Sequence, residues 1–490
     1  MIKLLAASIR RMTGSDRSVS VMATMGSAAA NIDGETVHAD LLLSSRAALA
    51  GGAALKRLPE HMQGRVCSII DECSMLGKRG LYWVEQRHRQ GMHCGEQADR
   101  AWGGIPVVIL LGDMAQLLPV LDEPLHTPVT AACRSESARG YDIYREFDHA
   151  IFLRDVVRQT SGSLLLPILQ SIRFTPQKDP VGIFEWLKTR WLATLSAGGQ
   201  DEFRCNAKYV MADRDSAKSV NAERIHALNT PSRGRSVPVA RLQSLNGGSD
   251  TCSTYAAGLR NSKSDFGHLP SSLDICVGAR VILTKNMCTD FKLVNGSCGI
   301  VRFIAFLPDD FPVPDGTVHP SCIWVDFPDY IGPAICASHP TLVPIGSETV
   351  RGGLHCRKRC SLRSCSRVMY PLRLAYASTI HKAQGITVGP GHLFERIVVN
   401  LGGVSVEKRH AGISFVALSR ATHKQFLALD GELTLEHVEA IGSSPLALAV
   451  LAEDARIQTL HDATLSRMPW GSCESDIRRR YDDLLATIMR

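Results

Sequence analysis

The sequence has no apolar stretch that approaches the length needed to cross a lipid bilayer, and it has no internal repeat. Its 15 cysteines are scattered singly, without the close spacing of a small disulfide-bonded domain, which favours a reducing compartment. Neither sign of charge dominates, because 55 Lys and Arg oppose 48 Asp and Glu for a net charge of +7. This mild excess permits a nucleic-acid partner without requiring one.

What remains is a long chain of ordinary composition. Its 490 residues are 45% hydrophobic and 21% charged, which is typical of a soluble globular protein with two to four domains. The first dozen residues, MIKLLAASIRRM, contain Arg but no acid and place apolar residues at helical spacing. They fit either a mitochondrial presequence or the opening helix of a domain.

The segment from Val66 to Met75, VCSIIDECSM, begins with a short apolar run, which ends at two adjacent carboxylates, Asp71 and Glu72. Its length and polar limits predict a central parallel strand that is buried on both faces. Because ligands bind beyond the carboxyl ends of such strands, Asp71 could hold magnesium and Glu72 could activate a water molecule. Taken alone, an acidic pair after a strand is more often a helix N-cap with its first-turn charge.

A second apolar run predicts another strand of the same sheet. Residues 105–111, IPVVILL, precede Gly112 and Asp113, and a helix is predicted between the two runs, from Ser74 to Arg89. Strand, helix and strand at this spacing indicate a βαβ unit with a parallel sheet. Gln116 would then face the same crevice and could sense a γ-phosphate, although a turn with a capping Asp explains these residues as well.

Three further segments place polar residues at or beyond the ends of predicted strands. FDHAIFLRDVVRQ predicts a strand followed by Arg158, VALSR a strand that ends in Arg420, and TIHKAQG follows an apolar run with His381 and Lys382 in one turn. A rigidly held Arg could stabilise a transferring phosphoryl group, and the TIHKAQG turn could bind phosphate oxygens. Each Arg could equally form a structural ion pair, and a lone His-Lys pair is usually a solvated surface.

Residues 302–370 carry many Pro and Gly between short β-like runs and predict a small all-β insertion, preceded by a hairpin at Asn295 and Gly296. The parallel pattern resumes at Leu372, with further short strands predicted at Phe394–Leu401 and Phe415–Leu418. Residues 160–230 and 432–490 are predicted to be mainly helical, and residues 231–272, rich in Ser, Gly, Asn and Arg, are predicted to be a loop or linker. The insertion contains four possible zinc ligands: His355, Cys356, Cys360 and Cys365. Their C-x3-C-x4-C spacing is not that of the familiar paired zinc ligands, and a basic loop that contacts phosphate is the alternative.

Taken in order, these pieces resemble the motif series of superfamily 1B DNA helicases of the petite-integration-frequency (Pif) type, which are related to the RecD-like helicases. VMATMGSAAANIDGETVH resembles the second motif, VCSIIDECSM the Walker B motif, VVILLGDMAQLLPV the third motif and LRDVVRQ the fourth. GARVILTKN with LVNGSCGIV, then LAYASTIHKAQGIT, and lastly FVALSRA complete the series. The resemblance covers roughly residues 1–425.

The resemblance implies an α/β fold of two RecA-like P-loop NTPase domains, whose parallel sheets are flanked by helices, with a small SH3-like β insertion in the second domain. The implied limits are 1–155 for the first RecA-like domain, with a helical excursion at about 39–65, 156–301 and 371–430 for the second, 302–370 for the insertion and 431–490 for a C-terminal helical cap. We expect an intracellular protein, with the nucleus favoured over the mitochondrion and both left open.

The roles of individual residues follow from the same resemblance. ATP is the implied substrate, Mg²⁺ the implied cofactor, and single-stranded and duplex DNA the implied partners. Asp71 would hold the metal ion, Glu72 would activate water and Gln116 would report the γ-phosphate. The remaining implied positions are Arg158 and Arg420 on the γ-phosphate, Gln384 and Gly385 beside the nucleotide, and Thr24, Gly26, His38, Asn295, Thr379 and His381 along the DNA.

One motif of the family does not occur in the sequence. The Walker A loop, G-x-x-x-x-G-K-[ST], supplies the amides and the Lys that cradle phosphates; here Gly77-Lys78 is followed by Arg79 and lacks the earlier glycine. In family register, the first dozen residues are the helix after that loop. We therefore expect a helix rather than a presequence, and a chain that starts a few residues late.

The missing loop leaves two functions open. The first is an ATP-dependent 5′-to-3′ DNA helicase that acts in DNA repair, recombination or telomere maintenance. The second is a truncated, catalytically impaired remnant, for example from a mobile element, that binds DNA without efficient ATP hydrolysis.

Overall fold

The structure is a computed structural model, and it describes the following residues: 1–43, 53–92, 100–130, 134–160, 162–229, 237–247, 266–267, 269–306, 319–351, 366–431 and 433–467. The chain divides into two compact units. The first contains Met1–Trp186, Gly403–Ser419 and Leu433–Arg490, and the second contains Leu187–Gly402 and Arg420–Glu432. These units are defined by packing, and the domain limits given above stay a prediction.

The first unit is built on a four-stranded parallel sheet. Its strands are β1 (Val19–Ala23), β2 (Glu35–Thr36), β3 (Cys67–Asp71) and β4 (Val107–Leu110), in the order β2-β1-β3-β4. Each neighbouring pair runs parallel, so the predicted βαβ unit is confirmed. Strand β3 is central and fully buried up to Asp71, as its apolar run predicts.

Strand β4 is less buried than the sequence predicts. The run IPVVILL favours a strand that is covered on both faces, but Val107 is 43% exposed and the three residues after it are only half-buried. β4 lies at one edge of the sheet, and no further strand pairs with it within the described ranges. An edge strand leaves one row of backbone groups and part of its side-chain surface open to solvent.

The described residues also form α-helices in both units. They are α1 (Ile2–Thr13), α2 (Gly26–Asn31), α3 (Val37–Asp40), α4 (Ala53–Met62), α5 (Lys78–Gly91), α6 (Ser135–Arg145), α7 (Leu165–Phe174), α8 (Pro180–Lys188), α9 (Ala197–Asn206), α10 (Arg214–Ala227), α11 (Ile380–Ala383), α12 (Val404–Arg409), α13 (Ile413–Leu418), α14 (Leu435–Ala440) and α15 (Pro445–Arg467). Helices α1–α7 and α12–α15 belong to the first unit, and α9–α11 belong to the second.

Helices cover both faces of the first sheet. Helix α1 packs its apolar side chains against β1 and β3 and ends at Gly14, whose left-handed conformation (φ 66°) closes the helix. The expected opening helix is therefore confirmed as a helix. On the other face, α5 crosses α6 closely, because a Cβ on Gly140 would lie 1.8 Å from the carbonyl oxygen of Lys78.

The C-terminal helices pack on the first unit. The hydroxyl of Tyr144 on α6 donates to Glu453 on α15 over 2.6 Å, and the side-chain amide of Gln177 donates to the carbonyl of Glu439 on α14 over 2.9 Å. The predicted helical character of residues 432–490 is confirmed for the part that the structure describes, which ends at Arg467.

The strand predicted in FDHAIFLRDVVRQ is wrong, because residues 148–157 form neither helix nor strand. The backbone amide of Ala150 donates to Thr464 over 3.0 Å, and that of Phe152 donates to His461 over 3.4 Å. Both acceptors are side chains of α15. The residue pattern of the segment is typical of a strand, but its backbone amides donate hydrogen bonds to a helix instead of to a neighbouring strand.

The strand predicted at residues 415–418 is also wrong, because these residues lie in helix α13. The helix begins after Gly412, whose left-handed backbone (φ 83°) redirects the chain. Most of its residues are buried, so its apolar side chains are not confined to one face. A short run of this kind does not distinguish a buried strand from a buried helix by periodicity.

The second unit contains another four-stranded parallel sheet. Its strands are β5 (Ala207–Met211), β16 (Ala377–Thr379), β17 (Arg396–Asn400) and β18 (Leu427–Leu429), in the order β16-β5-β17-β18. The sequence predicted β17 but not β5, which lies in a stretch predicted to be mainly helical. Lys208 interrupts the apolar run of β5, although its ammonium group is buried and donates to the carbonyl of Ala375 over 2.6 Å.

Antiparallel strands make up the rest of the second unit. A five-stranded sheet has the order β12-β11-β10-β9-β15, and two smaller sheets have the orders β13-β14-β7 and β6-β8. Their limits are β6 (Ala240–Gln243), β7 (Leu245–Gly247), β8 (Ser272–Ile275), β9 (Arg280–Leu283), β10 (Cys298–Ala305), β11 (Cys322–Asp326), β12 (Leu342–Gly346), β13 (Glu348–Arg351), β14 (Ser366–Met369) and β15 (Leu372–Leu374).

The predicted β-rich character of residues 302–370 is confirmed for the part of this range that the structure describes, and two neighbouring predictions differ from the structure. β9 and β10 are antiparallel neighbours, and Asn295-Gly296 forms a turn directly before β10, but the whole connection spans residues 284–297. Leu372 does not resume the parallel sheet, because β15 pairs with β9 in the antiparallel sheet. The parallel pattern resumes five residues later, at Ala377.

Some predictions concern residues outside the described ranges. These are the four possible zinc ligands at 355–365, residues 231–236, 248–265 and 268 of the predicted loop or linker at 231–272, and the last residues, 468–490. In the described part of that loop the prediction is wrong for β6, β7 and the first residue of β8, because antiparallel neighbours pair with these residues. Within the described ranges, no helix combines the length and the apolar character needed to cross a membrane.

Candidate active site

The carboxyl ends of β1 and β3 lie side by side. Ala23 pairs with Asp71 in the parallel register, so Thr24 and Glu72 follow at the same edge of the sheet. The hydroxyl of Thr24 donates to the carbonyl oxygen of Glu72 over 3.1 Å. The structure therefore brings together three predicted site residues from two motifs.

The backbone of Glu72 is left-handed, with φ 54° and ψ 43°. A non-glycine residue in this region costs about 1–3 kcal/mol and persists only where its surroundings hold it. Here the hydrogen bond from Thr24 holds the carbonyl of Glu72, and the next amide, that of Cys73, donates to the carbonyl of Leu111 over 2.8 Å. The turn is thus tied to the ends of both neighbouring strands, β1 and β4.

The carboxyl group of Asp71 is half-buried where its strand ends. Burial raises its pKa, and a hydrogen bond from the backbone amide of Glu72 offsets this only in part. A divalent cation beside Asp71 would favour the charged carboxylate, so the residue fits the Mg²⁺ that the motifs imply. No described group of three or more His, Cys, Asp or Glu could hold a metal ion. A Mg²⁺ ion here would therefore complete its shell with water and phosphate oxygens, as it commonly does.

We expect Asp71→Asn to raise the melting temperature at neutral pH. The folded-state pKa lies above the unfolded value of about 3.9, so the folded protein binds this proton more tightly than the unfolded chain does. The stability contributed by Asp71 is therefore highest below the unfolded pKa and falls as pH rises through the folded pKa.

Melting curves from about pH 4 to about pH 8 test this expectation. The advantage of Asp71→Asn should be largest at neutral pH and should vanish near the ordinary pKa of Asp, about 3.9. Asp142→Asn, at an exposed position on α6, is the control and should change little. A variant that melts below the unmodified protein at pH 7 would contradict the prediction.

Arg158 faces the acidic pair from the segment after α6. Burial lowers the pKa of its guanidinium, while the nearby charge of Glu72 raises it. The adjacent Gln159 is buried, and its side-chain amide donates to the carbonyl of Ser419 over 3.1 Å. A hydrogen bond to the end of α13 therefore positions Arg158, where the sequence predicted the end of a strand.

Gln116 lies in a turn that begins at Asp113. The carboxylate of Asp113 accepts from the amide of Ala115 over 3.0 Å, and the amide of Gln116 donates to the carbonyl of Asp113 over 2.9 Å. The alternative of a turn with a capping Asp thus describes the local structure, and it does not conflict with a role for Gln116. Arg173 also contacts Asp113 from helix α7.

Sequence reasoning missed Arg173, although the sequence carries a signal for it. The buried residues of α7 are Leu165, Leu169, Ile172 and Arg173, which share one face of the helix. An Arg on an otherwise apolar face indicates a buried ion pair, because a buried guanidinium needs a partner.

Two predicted DNA-contacting residues of the first unit lie on short helices. Gly26 begins α2, and His38 is exposed on α3. Helix α3 is anchored by Asp40, which accepts two hydrogen bonds from Arg65, over 2.9 and 3.1 Å. Burial opposes the ionisation of Asp40, but His61 and Arg65 outweigh it and lower its pKa to about 2. A buried ion pair therefore holds the surface that carries His38.

In the second unit, the TIHKAQG turn follows the end of a parallel strand, as predicted. Thr379 ends β16 and precedes α11, which carries His381. Gln384 is buried, and Gly385 has a left-handed backbone (φ 83°).

Arg420 is buried, and its backbone contacts the residues that follow the TIHKAQG turn. Its carbonyl accepts from the amide of Val388 over 2.9 Å, three residues after Gly385. Asn295 lies apart from these residues in the chain, in an exposed turn whose backbone amide donates to Asn286 over 2.8 Å. The structure thus brings Thr24, Asp71, Glu72 and Arg158 together in the first unit, and the individual roles of all the site residues stay predictions.

Comparison with known sequences agrees with the motif series. Residues 1–165 match the family described as PIF1-like helicase. The chain is 27% identical over 427 residues to the ATP-dependent DNA helicase PIF1 of Homo sapiens, a match that covers 86% of this chain and 55% of the human protein. It is 26% identical over 443 residues to the ATP-dependent DNA helicase PIF7 of Trypanosoma brucei brucei, covering 84% and 41%. The chain spans about half the length of the curated relatives that it matches.

Solved structures show the same fold. The Pif1 helicase of Candida albicans superposes with a TM-score of 0.65 at 20% identity and covers 93% of this chain and 92% of its own. Bacteroides Pif1 bound to single-stranded DNA gives a TM-score of 0.56 at 18% identity, with coverages of 89% and 87%. The predicted fold class, with RecA-like parallel sheets flanked by helices, is confirmed.

Proposed function

We propose that this chain, which is PIF1-like in sequence and in fold, forms the motor of an ATP-dependent DNA helicase that unwinds duplex DNA in the 5′-to-3′ direction. The observation that carries the proposal is the acidic pair at the end of β3. Glu72 is held in a left-handed turn beside Asp71, and a partly buried guanidinium, that of Arg158, interacts with its charge. Such an arrangement suits the in-line attack of water on a phosphoryl group.

Each predicted site residue would have its own role in ATP hydrolysis. Asp71 would hold Mg²⁺, which neutralises charge on the phosphate oxygens when bound. Glu72 would orient water and accept its proton, because a carboxylate within reach of the nucleophile is an effective general base. Gln116 would contact the γ-phosphate. Arg158 and Arg420 would stabilise the charge that develops on it, and Gln384 and Gly385 would lie beside the nucleotide.

DNA would bind along the residues that the motifs assign to it. Thr24, Gly26 and His38 present a hydroxyl, a backbone amide and an imidazole on the first unit, and Asn295, Thr379 and His381 present similar groups on the second. Groups of this kind contact phosphate and sugar and carry little sequence information. We therefore propose single-stranded and duplex DNA as partners, a nuclear location, and a role in repair, recombination or telomere maintenance.

A second function is favoured by one observation on the sequence. The Walker A pattern, whose amides cradle the phosphates, does not occur in these 490 residues. A polypeptide without those contacts would bind DNA through its other motifs and hydrolyse ATP poorly. The candidate is thus a DNA-binding protein with an impaired site.

Phosphate release and DNA binding by the 490-residue chain distinguish the two functions. Hydrolysis stimulated by single-stranded DNA, with unwinding of duplexes that carry a 5′ tail but not of those with a 3′ tail, is the result expected of the helicase. DNA binding that weakens as salt rises, without hydrolysis, would favour the second function. Absence of both DNA binding and hydrolysis would refute both.

A further inference from the structure

We propose that Arg173 is a positioning residue for ATP hydrolysis: it fastens the turn that carries Gln116 to the C-terminal helix α15. The inference rests on the proposed function, because it assigns Gln116 to the γ-phosphate. It adds a residue that lies outside the motif series, and it makes α15 a support of the hydrolytic site.

The guanidinium of Arg173 joins two carboxylates from distant parts of the chain. Its Nε donates to Asp113 over 2.9 Å, and its Nη2 lies 2.8 Å from the same oxygen. Its Nη1 and Nη2 donate to the two oxygens of Asp454 over 2.5 and 3.0 Å. The side chain of Arg173 is only 7% exposed, so solvent screens these contacts little.

Hydrogen bonds of Asp113 connect Arg173 to the backbone of Gln116. The oxygen that Arg173 contacts also accepts from the amide of Ala115, and the carbonyl of Asp113 accepts from the amide of Gln116. A shift of Asp113 therefore moves the backbone of both residues.

A second contact confines the same turn. A Cβ on Gly412, at the start of α13, would lie 2.0 Å from the carbonyl oxygen of Ala115. The turn thus packs directly against a backbone that only glycine allows, while Arg173 holds its first residue. Without the guanidinium, Asp113 and Asp454 would lose the cation they share and would repel each other.

Amide hydrogen exchange tests the positional part of the inference. Arg173→Lys removes the fork that reaches both carboxylates, and Asp454→Asn weakens the remote end without touching the turn. Both variants should speed exchange in residues 113–117 by about tenfold, which corresponds to about 1.4 kcal/mol in the opening equilibrium. Glu453→Gln is the matched control, because Glu453 lies on the same helix but bonds to Tyr144 and Arg456.

Steady-state ATPase kinetics test the catalytic part. Misplacing a catalytic group by about 1 Å can cost about 10²-fold, so we expect kcat to fall by about 10- to 100-fold in both variants. KM for ATP should change little. Glu453→Gln should keep its kcat, and melting temperatures show whether each variant is folded.

The outcomes separate this inference from the proposed function. Unchanged exchange at residues 113–117 in both variants would overturn it, as would equal acceleration in Glu453→Gln, which would show a general loosening of α15. Faster exchange with an unchanged kcat would overturn the positioning role. If the unmodified chain hydrolysed no ATP, the helicase motor would be refuted, and the exchange data alone would still decide whether Arg173 holds the turn.

Discussion

Glu72→Gln should lower the DNA-stimulated ATPase rate by about 10²- to 10⁴-fold, the usual contribution of a general base. Glutamine matches the size of glutamate and keeps a hydrogen-bonding oxygen, but it cannot accept the proton of the attacking water. The left-handed backbone of Glu72 is held by Thr24 and by the Cys73 amide, which the substitution leaves in place. The loss should therefore appear in kcat, with ATP and DNA affinity retained.

Phosphate release at saturating DNA, together with fluorescence anisotropy for DNA affinity, measures this effect. Glu60→Gln is the matched control, since Glu60 is exposed on α4 in the same unit. If Glu72→Gln hydrolysed ATP as fast as the unmodified chain, Glu72 would not be the general base. A parallel loss of DNA binding would indicate damage to the fold instead of to the chemistry.

Arg158→Ala should slow ATP hydrolysis by about 10³- to 10⁵-fold, the range observed for arginines that contact a transferring phosphoryl group. The guanidinium lies in a partly buried position where burial lowers its pKa and Glu72 raises it, so its charge acts where solvent screens it weakly. The effect should be on the chemical step, because in the proposed mechanism this Arg would stabilise charge that develops only in the transition state.

Single-turnover measurements with preformed complexes of the protein, ATP and DNA isolate that step. Arg154→Ala is the matched control, because Arg154 lies four residues earlier in the same segment and bonds at the surface to Gln458. A rate reduction of similar size in both variants would argue that the segment, and not the Arg158 guanidinium, supports hydrolysis. Retention of the rate in Arg158→Ala would remove this residue from the proposed mechanism.

Part of the candidate site follows directly from local pattern. An apolar run with polar limits predicted β3, and the acidic pair at its end lies where the parallel register brings Thr24 beside Glu72. The TIHKAQG turn follows strand β16 for the same reason, because strand ends in parallel sheets are marked by a change from apolar to polar residues. These features depend on neighbours in sequence.

Other features depend on what the chain meets after folding. Residues 148–157 have a strand-like pattern, but α15 supplies the partners for two of their amides. Residues 415–418 are buried on most sides, so their apolar character fits helix and strand alike. The apolar run of β4 predicted a buried strand, because the order of apolar residues does not indicate whether another strand covers its edge.

The sequence by itself determined the order of the motifs and the polar residues that follow the predicted strands β3 and β16, because these depend on residue type and short spacing. The RecA-like fold was implied by the resemblance of those motifs to a known family. Only the tertiary structure decided that Glu72 is left-handed, that Arg158 interacts with it, and that Arg173 joins Asp113 to Asp454. Arg173 and Asp454 are separated by 281 residues. The apolar face of α7 indicates that Arg173 is buried, but periodicity does not identify the partners of its guanidinium, since the energy of such an ion pair arises from burial and geometry that exist only in the folded chain.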